Sequence, residues 1–154
     1  MIIEDRNFKL KSFSKKDINS KYLKWINNKN LLKYSRNKKK IDYNSALDYL
    51  KSHDNKNNLF FKILKKKGNK VIGTFTIYID KKYKIANLGI LIGDQSERGK
   101  GFGYKIYKLV INFLFKKKKL NKIIIGTRKD NTQMINICKK LKMKFFFEER
   151  KNKK

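Results

Sequence analysis

Alternating and continuous apolar runs predict that the chain folds around a β-sheet. Three runs in the middle of the chain are rich in β-branched and aromatic residues and are joined by short polar turns, so they predict an antiparallel meander. A later run is apolar throughout, which is typical of a strand that is buried on both faces. The predicted strands are 8–13, 59–66, 71–80, 85–93, 122–127 and 145–149.

Apolar residues spaced three and four positions apart predict about four helices beside these strands. Ser14, with Asp17 three residues later, is the expected N-cap of the first helix, and Asp42 or Asn44 that of the second. The predicted helices run from Ser14 through Ile26, over 41–52, over 101–118 and over 131–142. No repeat or linker interrupts the pattern, so we predict a single domain over residues 1–154, of the α+β (mixed α/β) class.

Composition excludes several classes of protein. A chain of 154 residues with 40% hydrophobic residues can bury a core, so it is not a disordered tail. It has no apolar run near 18 residues and no secretory leader, so we expect no membrane partner. Cys138 is the sole cysteine, which rules out an internal disulfide, and we expect a cytoplasmic location. We expect no metal cofactor.

The net charge of +30 first suggests nucleic acid as a partner. The excess is almost entirely lysine, with 37 Lys against 5 Arg, whereas arginine supplies the bidentate contacts to phosphate and guanine. Asn (17) and Ile (19) are also frequent, while Ala (2) and Pro (0) are scarce. Lys, Asn and Ile have A/T-rich codons, whereas Ala and Pro have G/C-rich codons, so an A/T-rich genome explains both the excess and the scarcity. The charge is therefore explained without nucleic acid, and a basic nucleic-acid-binding protein is kept only as a remote alternative.

The segment 94–105, DQSERGKGFGYK, joins a predicted strand to a predicted helix. Five residues separate Gly93 from Gly99-Lys100, one more than a P-loop has, and the spacing G-x-G-x-G is not that of a dinucleotide-binding fingerprint. Glycines at the start of a helix, however, expose backbone amides that no intrahelical acceptor uses. With the helix dipole and flanking cations they predict a seat for a phosphate group.

The sequence SERGKGFGYKIYKLVINFLF resembles the acyl-CoA-binding signature of the GNAT acetyltransferase superfamily, Q/R-x-x-G-x-G/A, with Arg98, Gly101 and Gly103 at its fixed places. LGILIGDQSERGKGFG and NTQMINICKKLKMKFFFE look like the strand, loop, helix and closing strand of that family. The resemblance implies a mostly antiparallel sheet whose parallel fourth and fifth strands splay apart around acetyl-CoA, with a bulge near Gly89 to Leu91. The cofactor-binding residues that it implies are Ile90, Leu91, Ile92, Arg98, Gly99, Lys100, Gly101, Phe102, Gly103, Tyr104 and Asn131; Asn131 is also a plausible helix N-cap.

The resemblance leaves the catalytic residues open. Cys138 stands where many relatives have a tyrosine that protonates the leaving thiolate, and the same side chain lies on an apolar helix stripe that suits the core. Asn87 stands near the place of a glutamate base. His53, the only histidine, is a candidate general base, and removal of the amine proton by water is the alternative.

The segment 22–35 is similar to two branches of the family, one acting on ribosomal-type protein N-termini and the other on nucleotide-linked amino sugars. We therefore expect an acetyl-CoA-dependent N-acetyltransferase of a primary amine, leaning to an amino-sugar nucleotide. Trp25 is expected either in the core or in the acceptor pocket. Relatives often add a seventh strand, so a partner such as a second copy of the chain is one way to complete the pocket. A catalytically silent acyl-CoA-binding module is the alternative.

Overall fold

The computed structural model describes residues 1–34 and 39–145. Within them, six strands form one sheet in chain order, antiparallel from β1 to β5 and parallel between β5 and β6. The strands are β1 (Ile2–Glu4), β2 (Phe8–Ser12), β3 (Asn58–Lys65), β4 (Lys70–Asp80), β5 (Ile85–Ile92) and β6 (Lys122–Ile124). The predicted meander is confirmed as β3, β4 and β5, and so is the mixed, mostly antiparallel fold class.

Four α-helices accompany the sheet in the described part of the chain. They are α1 (Ser20–Ile26), α2 (Tyr43–Lys51), α3 (Phe102–Lys117) and α4 (Thr132–Lys140), with short 3-10 helices at Lys15–Asp17 and Gln95–Glu97. The expected cap of α2 is confirmed, because the Asp42 carboxylate accepts a hydrogen bond from the amide of Ser45 at 2.8 Å. None of the described helices is both long and apolar enough to cross a membrane.

Successive residues of the sheet point to opposite faces and pack into two hydrophobic clusters. On one face, Phe61 and Phe75 pack with Ile106 and Val110 of α3, and this cluster is the larger. On the other face, Phe60 packs with the residues of α1 and α2. A cavity lies on this second face, between the sheet and its two helices.

The predicted start of the first helix at Ser14 was wrong. Ser14 and Asp17 do form a reciprocal pair, since the Asp17 carboxylate accepts from the Ser14 amide at 2.8 Å. That pair closes only one 3-10 turn, however, and α1 begins five residues later than Lys15, with Asn19 as its cap. Strand β1 was not predicted at all.

The predicted strand 122–127 is shorter than expected and is not buried on both faces. Only Lys122–Ile124 are in β6, and Ile123 and Ile124 are half-buried. The reason is that β6 stays beside β5 for three residue pairs and then diverges from it. Apart from Phe145, the predicted strand 145–149 lies outside the described residues.

Candidate active site

A cavity of about 410 Å³ opens between α1, α2 and the sheet face that these helices cover. Aromatic, hydroxyl and aliphatic side chains form its wall, and none of the described lining residues is charged. Burial raises the pKa of Tyr22 to about 12, so this phenol is a neutral hydroxyl at physiological pH. The lining residues are Tyr22, Ile26, Leu32, Ile41, Ser45, Tyr49, Phe60, Thr74, Thr76, Gly89, Ile90 and Leu91.

Strand β5 borders this cavity and has one open edge. It pairs with β6 only from Ile85–Lys122 to Asn87–Ile124. From Leu88 to Ile92, its strand partner in the described structure is β4 alone. Backbone N–H and C=O groups on the other edge, apart from the Ile92 carbonyl oxygen that accepts from Arg98, are therefore available to a bound molecule, which would also lie against the cavity.

The glycine segment lies at the end of this open edge. Gly99 (φ 74°) and Gly101 (φ 77°) are in the left-handed conformation, which glycine adopts without a steric penalty. Helix α3 begins at Phe102, and Gly101 provides no side-chain cap. Within the described chain, the amides of Gly99 through Tyr104 donate to no protein acceptor. A Cβ at Gly101 would meet no atom within 4 Å, so the space where a side chain of this residue would begin is open.

Two cations flank the free amides. The guanidinium of Arg98 donates from Nε to the carbonyl oxygen of Ile92 at 2.9 Å, which fastens the loop to the end of β5. Lys100 stands between Gly99 and Gly101, with its ammonium 3.5 Å from the Glu97 carboxylate. Free amides at a helix start, with positive side chains at the rim, are the arrangement that binds phosphate groups.

Two acids, Asp94 and Glu97, pair with lysines of β3 and β4 and so stabilise this loop. Glu97 is only 5% exposed, and its carboxylate lies 3.0 Å from the Lys65 ammonium. The hydrogen bond from Lys65 lowers the pKa of Glu97. For Asp94, burial opposes ionisation, but hydrogen bonds from Lys70 and Ser96 outweigh it and lower its pKa to about 2. Both acids are therefore ionised and bound to lysines, which makes them supports of the loop and poor proton acceptors.

The sequence matches the family model described as the acetyltransferase (GNAT) domain over residues 7–144. The chain belongs to the GNAT acetyltransferase family. It is accordingly an acyltransferase, and the co-substrate of the family is acetyl-CoA. The free amides and open strand edge fit that co-substrate, because one can receive a pyrophosphate and the other an amide-containing arm.

Solved structures share this GNAT fold at low sequence identity. A domain from Methanocaldococcus jannaschii DSM 2661 has a TM-score of 0.82 and 20% identity, with 96% of this chain and 95% of that chain covered. Spermidine N-acetyltransferase from Vibrio cholerae, in complex with CoA and spermine, has a TM-score of 0.77 and 16% identity, covering 88% and 80%. Ribosomal-protein-S5-alanine acetyltransferase from Vibrio fischeri has a TM-score of 0.73 and 17% identity, covering 92% and 81%. No curated protein matches the sequence.

The bulge expected in this GNAT domain near Gly89 to Leu91 is not there. The register between β4 and β5 is continuous from Gly73–Ile92 to Asp80–Ile85. The irregularity lies instead between β3 and β4, where Ile72 is the extra residue. Its carbonyl oxygen accepts from the amides of Gly93 (2.9 Å) and Asp94 (3.1 Å), so the bulged residue anchors the start of the glycine loop.

The predicted cofactor residues come together around the open edge and the helix start. Ile90 and Leu91 of β5 line the cavity. Arg98 through Tyr104 form the loop after β5 and the start of α3. Asn131 is the N-cap of α4, its side-chain oxygen accepting from the Met134 amide at 3.1 Å. Helix α4 also packs against the start of α3, since a Cβ at Gly103 would lie 3.2 Å from Ile137 Cδ1.

The candidate catalytic residues are not on the cavity wall. Cys138 is half-buried on α4, where burial raises the pKa of its thiol. His53 is buried and lies two residues after the end of α2. Trp25 also belongs to the core, because its ring packs so closely on Gly93 that an added Cβ there would lie 2.0 Å from Cδ2. Among the described residues, no three His, Cys, Asp or Glu side chains are grouped as metal ligands.

The sequence patterns did not identify the polar side chains that line the cavity. Thr74 and Thr76 lie on the cavity side of β4, and Tyr49 lies one turn after Ser45 on α2. The period of two in β4 and the helical spacing of Ser45 and Tyr49 are the signals that could have grouped them. Neither signal says which face of the sheet the helices leave partly uncovered.

Proposed function

We propose that the chain, as a single GNAT domain over residues 1–154, transfers the acetyl group of acetyl-CoA to a primary amine that occupies the cavity. Acetyl-CoA supplies the acetyl group as a thioester, and the amine nitrogen attacks its carbonyl carbon. The backbone amides of Gly99 to Tyr104, with Arg98 and Lys100, hold the pyrophosphate. The open edge of β5 at Ile90 to Ile92 holds the pantetheine arm, and Asn131 contacts the cofactor with its side-chain amide.

One observation supports this proposal above the others. The open edge of β5 ends at the free helix amides on one side and borders the uncharged cavity on the other. A single extended molecule can therefore be bound by its phosphates and by its arm while its acyl end reaches a second substrate. This is proximity and orientation catalysis, which by itself supplies much of the rate of a two-substrate transfer.

The cavity also supports a proposal for the class of acceptor. Its described wall offers hydroxyls from Ser45, Thr74 and Thr76 and aromatic faces from Tyr22 and Tyr49, but no carboxylate. A polyamine carries several positive charges and would meet no countercharge there, in a protein with a net charge of +30. An amine on a neutral or anionic carrier suits this wall better. We therefore place an amino-sugar nucleotide first and a protein N-terminus second.

Cys138 is our proposed proton donor to the departing CoA thiolate. Burial keeps its thiol protonated at neutral pH, which a donor requires. We expect Cys138→Ala to lower kcat about tenfold or more while the affinity for CoA is unchanged, because a methyl group has no proton to give. Full turnover by a folded Cys138→Ser variant would assign the thiol to packing alone.

The experiment that tests the proposal measures CoA thiol release with a panel of amines. The panel contains a nucleotide-linked amino sugar, a peptide with a free N-terminus, and spermidine, and CoA binding is measured separately by calorimetry. Turnover with the amino-sugar nucleotide supports the full proposal, whereas turnover only with the peptide or spermidine corrects the acceptor. CoA binding without turnover of any amine would indicate a silent acyl-CoA-binding module. Salt-sensitive binding to duplex DNA without CoA binding would overturn the enzyme function altogether.

A further inference from the structure

His53 is a buried histidine with both ring nitrogens engaged. It is 7% exposed and directly follows the last turn of α2. Nδ1 lies 2.8 Å from the carbonyl oxygen of Tyr49. A carbonyl oxygen can only accept, so Nδ1 carries the proton of the neutral ring and Nε2 is left with its lone pair.

That lone pair faces a tyrosine hydroxyl from another element. Tyr78 of β4 lies with its hydroxyl 3.2 Å from His53 Nε2, so it donates to the neutral imidazole. The hydroxyl of Tyr49 is in turn 3.1 Å from that of Tyr78. Three titratable groups from α2, its C-terminal end and β4 therefore form one continuous chain of hydrogen bonds.

The chain begins at the cavity wall. Tyr49 lines the cavity and is 43% exposed, whereas Tyr78, which is 37% exposed, and the buried His53 are not part of the wall. On the same face of β4, Thr76 is two residues before Tyr78, and a Cβ at Gly89 would lie 2.9 Å from its Oγ1. Because Tyr49 and Gly89 line the same cavity, the hydrogen-bonded chain starts at the cavity that the open part of β5 borders.

We propose that Tyr49, Tyr78 and His53 form a proton relay that removes the proton of the acceptor ammonium. The inference rests on the proposed function, because it assumes an amine in the cavity. Tyr49 Oη takes a proton from the ammonium as it passes its own proton to Tyr78, and Tyr78 passes its proton to His53 Nε2. The neutral amine then forms the C–N bond, the C–S bond breaks, Cys138 protonates the CoA thiolate, and the second ammonium proton restores the Cys138 thiol. The third proton stays on the amide product, and the imidazolium returns its proton to solvent.

The surroundings of His53 are suited to a ring that gains a charge for part of the cycle. Phe60 stacks on the imidazole at 5.0 Å between ring centroids and 27° between planes, and an aromatic face stabilises a cation. The titratable groups in contact with the ring are Tyr49 and Tyr78, and β3 contributes Phe60. The carboxylate of the following Asp54 is occupied by the backbone amides of residues 56–58.

The other acids near the site are poor alternatives. Asp94 and Glu97 are bound to lysines behind the glycine loop, and position 87 on β5 is an asparagine. Partial burial of its ring, with the hydrogen bond to Tyr78, raises the pKa of Tyr49. Tyr49 is therefore not a tyrosinate base at neutral pH. Its hydroxyl accepts the ammonium proton only as it donates its own proton to Tyr78.

The test compares Tyr49→Phe, Tyr78→Phe and His53→Gln with the wild type on the amine that the panel identifies. Glutamine can still accept a hydrogen bond from Tyr78 but cannot take up a proton. At pH 7 we expect each variant to lose about 100-fold in kcat with unchanged CoA affinity. The double variant Tyr78→Phe/His53→Gln should lose no more than the stronger single variant, because the groups act in series. Tyr83→Phe is the matched control, an exposed tyrosine in the turn after β4, and should keep full activity.

The pH dependence distinguishes a relay from a structural role. Above the pKa of the acceptor amine, about 8 to 10 for common amines, the substrate arrives without its extra proton. The deficit of the relay variants should therefore shrink towards the wild-type rate as the pH rises to about 10. A loss of kcat that is equal at every pH, or variants with full activity at pH 7, would overturn the relay without contradicting the proposed acetyltransferase activity. A wild type that acetylates no amine would overturn both proposals.

A spectroscopic measurement needs no acceptor. His53 is the only histidine, so its imidazole nitrogens can be assigned directly in a long-range ¹H–¹⁵N spectrum. The geometry requires the Nδ1–H tautomer in the neutral ring, and Tyr78→Phe should shift the Nε2 resonance, whereas Tyr83→Phe should not. The opposite tautomer, or an Nε2 resonance indifferent to Tyr78→Phe, would contradict the relay.

Discussion

At the scale of single residues, Gly101 has two properties that suit a phosphate seat. Its φ of 77° is a conformation that other residues adopt at a cost of about 1–2 kcal/mol, and its missing side chain leaves the amides of α3 uncovered. Space is not the constraint, because an added Cβ would meet no atom within 4 Å. A substitution at Gly101 should therefore affect ligand binding mainly through the charge of the new side chain.

We predict that Gly101→Glu weakens CoA binding at least tenfold more than Gly101→Gln. Both variants share the backbone strain and nearly the same volume, and only glutamate places a negative charge where the phosphates bind. Calorimetric titration with CoA measures the difference, and urea unfolding checks that both variants are folded. Gly68→Glu is a second control, since Gly68 also has a positive φ (83°) and open surroundings but lies in the β3–β4 turn. CoA affinity at the wild-type level in folded Gly101→Glu would refute the seat.

At the scale of elements, the end of β5 is held by three different neighbours. The bulged Ile72 of β4 accepts both amides that follow the strand, and Arg98 donates to the carbonyl of Ile92. Helix α1 presses Trp25 onto Gly93 from the cavity side. These contacts fix the direction in which the chain leaves the sheet, and hence where α3 begins.

We predict that Gly93→Ala destabilises the fold by about 1–3 kcal/mol, the usual cost of overpacking. A methyl group would overlap the Trp25 ring and push α1 away from β5. Urea unfolding monitored by tryptophan fluorescence measures the effect, because Trp25 is the single tryptophan. Gly126→Ala is the control, as its Cβ would meet nothing within 4 Å, and it should change stability by less than about 0.5 kcal/mol. Equal stability of the two variants would show that α1 is not fixed by this contact.

At the scale of the whole molecule, positive charge dominates. With 42 basic and 12 acidic residues, pairing every acid would still leave 30 unpaired positive charges, and repulsion among them opposes the compact state. The described acids Asp17, Asp94 and Glu97 are all paired with lysines at the surface of the core. The same field should attract an anionic co-substrate such as CoA.

We predict that sodium chloride raises the melting temperature while it weakens CoA binding. Salt shortens the range of charge interactions to about 10 Å at 0.1 M, which screens the repulsion and the attraction alike. Thermal unfolding and CoA titration between 20 and 500 mM salt, roughly Debye lengths of 20 Å to 4 Å, measure both effects. A melting temperature that falls over this range would mean that the lysine–acid pairs outweigh the repulsion among the excess lysines.

The sequence by itself determined the features that depend on near neighbours. The period of two in the meander, the cap at Asn131, the choice of Asp42 or Asn44 as the cap of α2, and the glycine-rich start of α3 are local patterns, because each is set by residues within a few positions of one another. The family resemblance carried by Arg98, Gly101 and Gly103 has the same local origin, and the family model confirms it.

Only the tertiary structure decided what depends on residues far apart in the chain. Ser14 and Asn19 both carry good cap chemistry, and packing of α1 on the sheet selects Asn19 as the cap of the α-helix. The bulge lies at Ile72, whose carbonyl oxygen accepts from two amides of the loop after β5. His53 is enclosed by Phe60 and Tyr78, the latter 25 positions away, although its own neighbours are polar. Such contacts join elements that meet only when the sheet is assembled, so no local period encodes them.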